Sequence, residues 1–535
     1  MNNYKSVIIM SFIILSPLYS QYQNITVSTA YFPNEVSIMI NPKNPDQVVI
    51  GSNIFYIGAD TSLSGYYYSS NGGFNWNMGI LHSNVARPSG DPVILVDTSG
   101  YFHYLQNANY AVNPRWWDRE LIMKSTNGGM NWSNGEAIGF DSLTVQDKPW
   151  GCVDLSHSPY RNSIYVTWSR FSEYRNPTPL DSSYIMFSKS ANGNQYNWSN
   201  PVRLSKLSGD AGDSSNTMEG VVPCVGPNGE IYVSWSGPKI RKQQYGIFFD
   251  RSTDGGNTWL DDDIYVTDQP GGWYIFIPNL FRCNGFPVTA CDISNGPYRG
   301  NVYINWSDQR NGLNDCDIWF IKSTNGGNNW SQVKRVNNDP PGKQQFYSWM
   351  TIDQVTGYIY IIFYDQRNNP LLNANVYLAR STDGGESFEN IKINNSPVPL
   401  NIYLFDYIGV SAHNGKIRPV WMGNYSIITA IIDSFYNIGI NTISSEIPAD
   451  FVLYQNYPNP FNPKTYIEFD IAEHSFVNLS IYDLSGREIE KLVNRKLAPG
   501  KYKADWNAEN FSSGVYFYCL ESGRFKDTKK LVLVK

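Results

Sequence analysis

The chain has 535 residues and a formal net charge of -6, so it presents no basic field and nucleic acid is excluded as a partner. Aromatic residues make up 15% of it, with 38 Tyr and 16 Trp, more than an ordinary core consumes; this suits packed β-sheets with rings left over to stack on sugars. Its five His and six Cys have no spacing that resembles a zinc site.

The first element in chain order is Lys5, followed by an apolar run over residues 7–15 and a stretch ending in Ser20. One positive charge, a short apolar centre and a small residue are the pattern of a secretory signal over residues 1–20, cleaved near Gln21. The run is too short to favour a membrane span, and an uncleaved anchor is the alternative. In an exported chain the cysteines can pair. Cys152 and Cys224 stand at matching points of neighbouring repeats and read equally as a disulfide or as small buried thiols, while Cys519 lies apart.

An eight-residue phrase then recurs six times, most cleanly as Ser252-Thr253-Asp254-Gly255-Gly256-Asn257-Thr258-Trp259. The other copies start at Ser69, Ser125, Ser190, Ser323 and Ser381. Their Asn or Asp positions are separated by 56 residues (Asn71 to Asn127) up to 71 (Asp254 to Asn325), which is the period of a supersecondary unit. Asn or Asp before Gly-Gly tolerates positive φ and bonds nearby backbone amides, so each copy is expected to be a hairpin tip. Apolar strands flank each tip, and a further strand pair precedes it, as in Val153-Asp154 then Ile164 to Trp168. Each unit is therefore four antiparallel strands, A to D, which is one propeller blade. Residues 36–50 form an extra pair before the first phrase, and residues 407–421 and 426–432 form three strands after the last. With Ile25-Thr26-Val27-Ser28 as their fourth, the ring closes with seven blades; six is the alternative.

The phrase resembles the Asp box of the sialidase-like, or BNR-repeat, β-propellers, Ser/Thr-x-Asp-x-Gly-x-x-Trp/Phe. The resemblance covers roughly residues 25–435 and implies an all-β propeller, assigned here to residues 21–436. In that family the boxes are structural and occur also in proteins that hydrolyse nothing.

Residues 437–450 read as a linker. Residues 451–535 follow as a small β-sandwich, with strands expected over residues 476–482, 501–506, 514–520 and 529–534. Tyr457-Pro458-Asn459-Pro460-Phe461-Asn462-Pro463, Asp483-Leu484-Ser485-Gly486-Arg487 and the terminal Lys529-Lys530-Leu531-Val532-Leu533-Val534-Lys535 resemble the type A C-terminal sorting domain of the type IX secretion system. That likeness implies export to the periplasm, passage across the outer membrane with the type IX machinery as partner, and release or retention at the cell surface. An ordinary carbohydrate-binding or adhesive sandwich is the alternative.

In a four-stranded meander the A–B and C–D turns share one face and the B–C and D–A connections the other. The phrases are C–D turns, so a ligand site belongs opposite them, where the long connections lie. Asp91, Asp147, Glu219, Tyr347 and Asp406 open the A strands there; Arg170, Asp308, Arg310, Asp365 and Arg367 follow the B strands. By resemblance, Arg170, Arg310 and Arg367 would clamp a sugar carboxylate, Tyr347 or Tyr407 would be the nucleophile, Glu219 its base, and Asp91 or Asp147 the acid. Trp116 and Trp117 would stack on a sugar. Against this stands the recurrence of Asp-Gln-Arg at 308–310 and 365–367, which fits a repeated blade-to-blade ion pair. The family's Arg-Ile-Pro phrase is matched only by Ala86-Arg87-Pro88.

The function implied is a secreted or surface sialidase-like propeller that engages a glycan or glycoprotein, with exo-sialidase hydrolysis as its chemistry if it is an enzyme. The alternatives are a non-catalytic glycan- or protein-binding propeller and a purely structural envelope component. A monomer without cofactor is expected, with room for a structural calcium ion among the acids.

Overall fold

Four antiparallel strands recur seven times around one axis, and the alternation of apolar residues along each strand is what lets the resulting sheets stack face to face. The computed structural model describes residues 22–535 except 56–61, 110–116, 174–181, 192, 194, 213, 281, 370–371, 401–405, 434–440, 445–447, 474, 498 and 509–510. The expected signal segment and Trp116 thus lie outside the described residues. The chain divides into two units, residues 1–431 and 432–535.

The innermost strands of blades 1 to 7 are Asn34–Ile40, Val93–Val96, Val145–Val153, Glu219–Val225, Val288–Cys291, Gln345–Ile352 and Gly409–His413, each beside the next around the ring. Second strands carry a large buried ring at the same point: Trp168, Trp235, Trp306 and Trp421 are sealed in blades 3, 4, 5 and 7. Clusters of buried side chains run across blade boundaries, as where Val222, Val288, Phe320 and Met350 pack together. Closure comes from the N-terminal side. Strand Gln23–Ser28 pairs with Ser426–Ile431 in the register Ile25 to Thr429, supplying the fourth strand of blade 7. Asn24 also donates to the Ile393 carbonyl at 2.8 Å, tying the closing strand to blade 6.

The repeated Ser-x-Asp/Asn-Gly phrase, which resembles the Asp box, is a hairpin tip and also a latch. Within it, Ser252 donates to Asp254 at 2.7 Å and accepts from the Gly256 amide at 2.9 Å, and Asp254 accepts from the amides of Asn257 and Thr258. Where the third residue is Asp, a hydroxyl four residues on donates to its other oxygen, Thr258 to Asp254 and Ser387 to Asp383. Where it is Asn at 71, 127 or 325, that later position is Asn75, Asn131 or Asn329. Between blades, Lys124, Lys189 and Lys322 reach the first-glycine carbonyl of the next box at 2.9, 2.7 and 3.1 Å, and Arg251 and Arg418 do the same to Gly326 and Gly72. The box aromatic lies edge-on to an aromatic of the preceding blade: Trp259 on Phe187, Trp330 on Phe249 and Phe388 on Phe320. Blade 7 has no box. Its seam with blade 6 is made by Tyr364, bonded to the Met422 carbonyl, and by Asp353, which accepts from the amides of Asn414 and Gly415.

The C-terminal unit has two four-stranded sheets around one apolar core that includes Phe469, Leu479, Trp506 and Leu531. One sheet holds Ser475–Tyr482, Glu488–Leu497, Gly514–Ser522 and Phe525–Leu533; the other holds Lys464–Ile471 and Gly500–Asn507. Part of the stretch expected as a linker is strand here: Asn441–Ser444 pairs with the edge of Gly500–Asn507, whose open ladder it satisfies.

The latch makes two predictions. A Cβ on Gly327 would stand 2.3 Å from Phe249 Cε1 at a φ of +89°, so Gly327→Ala is expected to lower propeller stability by about 2–3 kcal/mol; calorimetry showing an unchanged unfolding midpoint would sink the latch. Despite some burial, hydrogen bonds from Ser387 and Ser381 hold Asp383 down at about 2, and Asp254 is likewise lowered by Thr258 and Ser252. A depressed carboxyl stabilises above its unfolded value and loses that contribution as pH falls through its folded one. The Asp254→Asn, Asp383→Asn double variant should therefore lose less of its melting temperature than the parent as pH falls from about 5 to about 2 in pH-dependent melts.

Candidate functional site

On the face opposite the boxes, the inner strands begin with a bulge. The ladder slips between Asn34 and Val36, Asp147 and Trp150, Glu219 and Val222, and Phe346 and Trp349. The extra residue takes positive φ at Glu35, Asp91, Lys148, Gly220 and Tyr347. Four of these five are not glycine, and a left-handed residue with a side chain costs about 1–3 kcal/mol, so the surroundings must hold each one in place. The bulge turns the ends of several strands toward one another, and a cluster of charge results.

Lys148 is its centre. Its ammonium lies 2.6 Å from Asp406 and 3.8 Å from Asp91, with Arg282 Nε 3.2 Å from Asp406. Asn107 donates to Asp91 at 2.5 Å and to Asp147 at 3.2 Å, Asn284 donates to Asp406 at 3.0 Å, and Asn53 donates to Glu35. All of these carboxylates are buried. Burial pushes Asp147 up to about 8, with Lys148 pulling down and Asp91 pushing up, and it raises Glu35 well above the ordinary range. Burial works against the charge on Asp406 too, but Arg282 and Lys148 hold it at about 2. Positive charge among these acids thus comes from the protein itself. Among the described residues no group of three His, Cys, Asp or Glu is arranged to hold a metal.

A hairpin from the blade 4 to blade 5 connection closes over the cluster. Gly285 bonds back to the Trp273 carbonyl and Ile275 to the Cys283 carbonyl, while Tyr347 of blade 6 donates to the Arg282 carbonyl at 2.5 Å. Arg282 and Asn284 on the returning limb reach Asp406, just before blade 7. Gly220 lets Phe286 lie against the backbone of blade 4, where a Cβ would stand 2.1 Å from that ring. Below the charges, Trp150 and Trp349 meet at 4.1 Å and both touch Tyr407, which Lys148 caps at 5.4 Å.

The sequence candidates divide accordingly. Asp91, Asp147, Tyr407 and Asp406 belong to this axial stack, and Tyr347 anchors the hairpin above it. Glu219 is sealed beside Thr217, which donates to it at 2.5 Å, and Trp273 donates in turn to Thr217. Burial and neighbouring acids raise the phenols of Tyr347 and Tyr407 well above their usual range. The three arginines are each spent on a different carboxylate. Arg170 pairs with Asp141 at 2.8 Å, Arg310 with Asp308 at 2.6 Å, and Arg367 with Asp365 at 2.7 Å. Arg310 also donates to the Asp268 carbonyl of blade 4, and Arg367 to Asn338, so both Asp-Gln-Arg tripeptides make an internal ion pair that reaches back to the preceding blade. Trp117 packs on Gly90, next to Asp91, where a Cβ would stand 2.9 Å from its ring.

Glu35, Lys148, Arg282 and Glu120 were not singled out from the sequence. Glu120 is fully buried opposite Asn107, and neither of its carboxyl oxygens has a hydrogen-bond partner among the described residues. A signal for Lys148 exists: Asp147-Lys148-Pro149 aligns with Gly90-Asp91-Pro92, the proline marking the same point past the bulge. Arg282 carries none, because it lies inside an irregular connection.

No curated protein matches the chain. Among solved structures, a Hadza microbial sialidase is similar at 11% identity over 73% of this chain and 74% of that one, with a TM-score of 0.42. An alpha-L-arabinanase from Penicillium chrysogenum is 13% identical over 68% and 98%, with a TM-score of 0.41, and the sialidase of Trypanosoma rangeli 12% over 84% and 85%, with a TM-score of 0.40. At this level the likenesses say nothing about substrate. Residues 455–535 match the family described as the secretion system C-terminal sorting domain, and the second unit is a module of that kind.

Proposed function

We propose that this is an exported, non-catalytic propeller that binds an extracellular glycan through the loops opposite its Asp boxes, its C-terminal domain handing it to the type IX secretion machinery for release or display at the cell surface. The observation that carries this reading is the sealing of the axial polar groups. A glycosidase must bring its acid, base and nucleophile to the scissile bond, whereas here Asp91, Asp147, Glu219, Tyr347 and Tyr407 are all buried, and Trp273, Arg282 and Asn284 of the hairpin in the blade 4 to blade 5 connection bond to Thr217, Tyr347 and Asp406 around them. The loops around that hairpin are different in character. Phe140, Leu143, Tyr274, Phe276 and Leu313 are exposed on B–C or D–A connections, and Gln309 ties two of these loops together by donating to the carbonyls of Phe276 and Leu313. Exposed rings and aliphatics on a rigid rim are what a sugar face or a partner surface meets.

A hydrolytic reading is favoured by one observation, the protonated state in which burial holds Asp147 near neutral pH. In that reading Asp147 or Asp91 is the acid, Tyr347 or Tyr407 the nucleophile and Glu219 its base. Arg170, Arg310 and Arg367 would leave their carboxylates for the sugar's, and the hairpin would lift.

Two measurements on the purified chain separate these readings. Fluorogenic sialosides are expected to show no turnover; turnover that falls as pH rises past about 8 and is abolished in Asp147→Asn would replace the binding reading with the hydrolytic one. In glycan-array and titration binding, the Phe276→Ala, Leu313→Ser variant is expected to lose about tenfold or more in affinity. Unaltered binding in that variant would move the ligand away from this rim.

A further inference from the structure

On the other side of the aromatic plug, the axis opens into a cavity of about 590 Å³ whose mouth lies among the A–B turns, on the Asp-box face. That volume is in the range of sites for small ligands. Trp150 and Trp349 form its blind end. Met39, Cys152, Cys224 and Thr351 sit on innermost strands and line it, yet each keeps part of its surface uncovered, so that surface faces the cavity. These side chains are small or apolar, and the cysteines are free thiols.

The mouth has one sign of charge. Lys43, Arg161 and Arg299 line it and are exposed, with His157 and His413 beside them, and no Asp or Glu is among the lining residues. Arg161 and Arg299 hold the same station in blades 3 and 5, each donating to a carbonyl of its own turn, Ser156 at 2.7 Å and Ser294 at 2.8 Å. A turn needs a donor there but no ring of cations around an apolar shaft. Asp154 and Asp292 are buried in the turns that carry Arg161 and Arg299 and do not line the cavity, so the side chains exposed at its mouth are cationic above a low-dielectric wall.

We infer that this cavity binds an amphiphile with a single alkyl chain and an anionic head, the chain running toward the tryptophans and the head resting among Lys43, Arg161 and Arg299. An uncharged chain would leave the mouth unused, and a small anion would leave the shaft unfilled. A carboxylate and a phosphate monoester share the chemistry. The site is separated from the proposed glycan-binding rim by the charged layer and the plug, so either can fail without the other.

The test is titration of the full chain with sodium dodecanoate, dodecyl phosphate, dodecanol and sodium acetate, by displacement of a fluorescent fatty acid. Dodecanoate or dodecyl phosphate should bind saturably and more tightly than dodecanol, and acetate should not compete. The Lys43→Gln, Arg161→Gln, Arg299→Gln variant should weaken the anionic amphiphile by about tenfold or more while leaving dodecanol unchanged. Cys224→Leu, which adds volume to the wall, should weaken both, with the thermal midpoint as a check on folding. Absence of saturable binding, equal binding of dodecanol, competition by acetate, or an unaltered affinity in the glutamine variant would each overturn the proposal.

Discussion

A ring of separate sheets holds together only if every sheet grips its neighbour, and at five of the seven seams in this propeller the grip is on a glycine. At five of the six phrases the first glycine offers a carbonyl to a lysine or arginine of the blade before, and at Gly256, Gly327 and Gly385 the second leaves room for that blade's aromatic ring. A side chain at Gly256, Gly327 or Gly385 would stand in the space the ring occupies. The Asp or Asn of the box faces inward on its own hairpin and keeps the glycines presented. The box therefore serves the joint between blades as much as the turn that carries it.

With the ring closed, its axis becomes a column of layers of unlike polarity. A loop hairpin lies uppermost, then the cluster around Lys148 and Asp406, then Trp150, Trp349 and Tyr407, then the apolar shaft with its basic mouth. Burying Lys148 among four acids, with a half-buried Arg282 beside them, is expensive unless each charge is paired and hydrogen-bonded. Three asparagines, Asn53, Asn107 and Asn284, provide much of that satisfaction. The cluster fixes how the hairpin and four inner strands meet, because removing one partner would strand a charge in a place that water does not reach.

The same layers separate two surfaces. Above the cluster, exposed rings sit on long loops held by a rigid scaffold; below the plug, small side chains and cations surround a blind shaft. Strain concentrates at the level between them, at the left-handed residues Glu35, Asp91, Lys148 and Tyr347. Those bulges bring the charges together and also seal them.

The sequence alone determined the four-stranded repeat and favoured seven blades over six, with Ile25 to Ser28 as the closing strand, because periodicity and turn chemistry are local and repeat; pairing of that strand in the structure decided for seven. The sorting module was legible for the same reason, its motifs occurring in order within the matched residues 455–535, while the strand Asn441–Ser444 lies in the stretch expected as a linker. It also placed Asp91, Asp147 and Asp406 near the axis, since position along an inner strand fixes distance from the centre. Only the tertiary structure decided what those residues face. Lys148 reaches Asp406 across 258 positions of sequence, and Arg282 arrives from a loop with no periodicity to betray it. The arginines that resemblance would gather around a sugar are drawn to carboxylates nearby, because a guanidinium settles on whatever acid the packing brings within reach, and sequence spacing does not measure that distance.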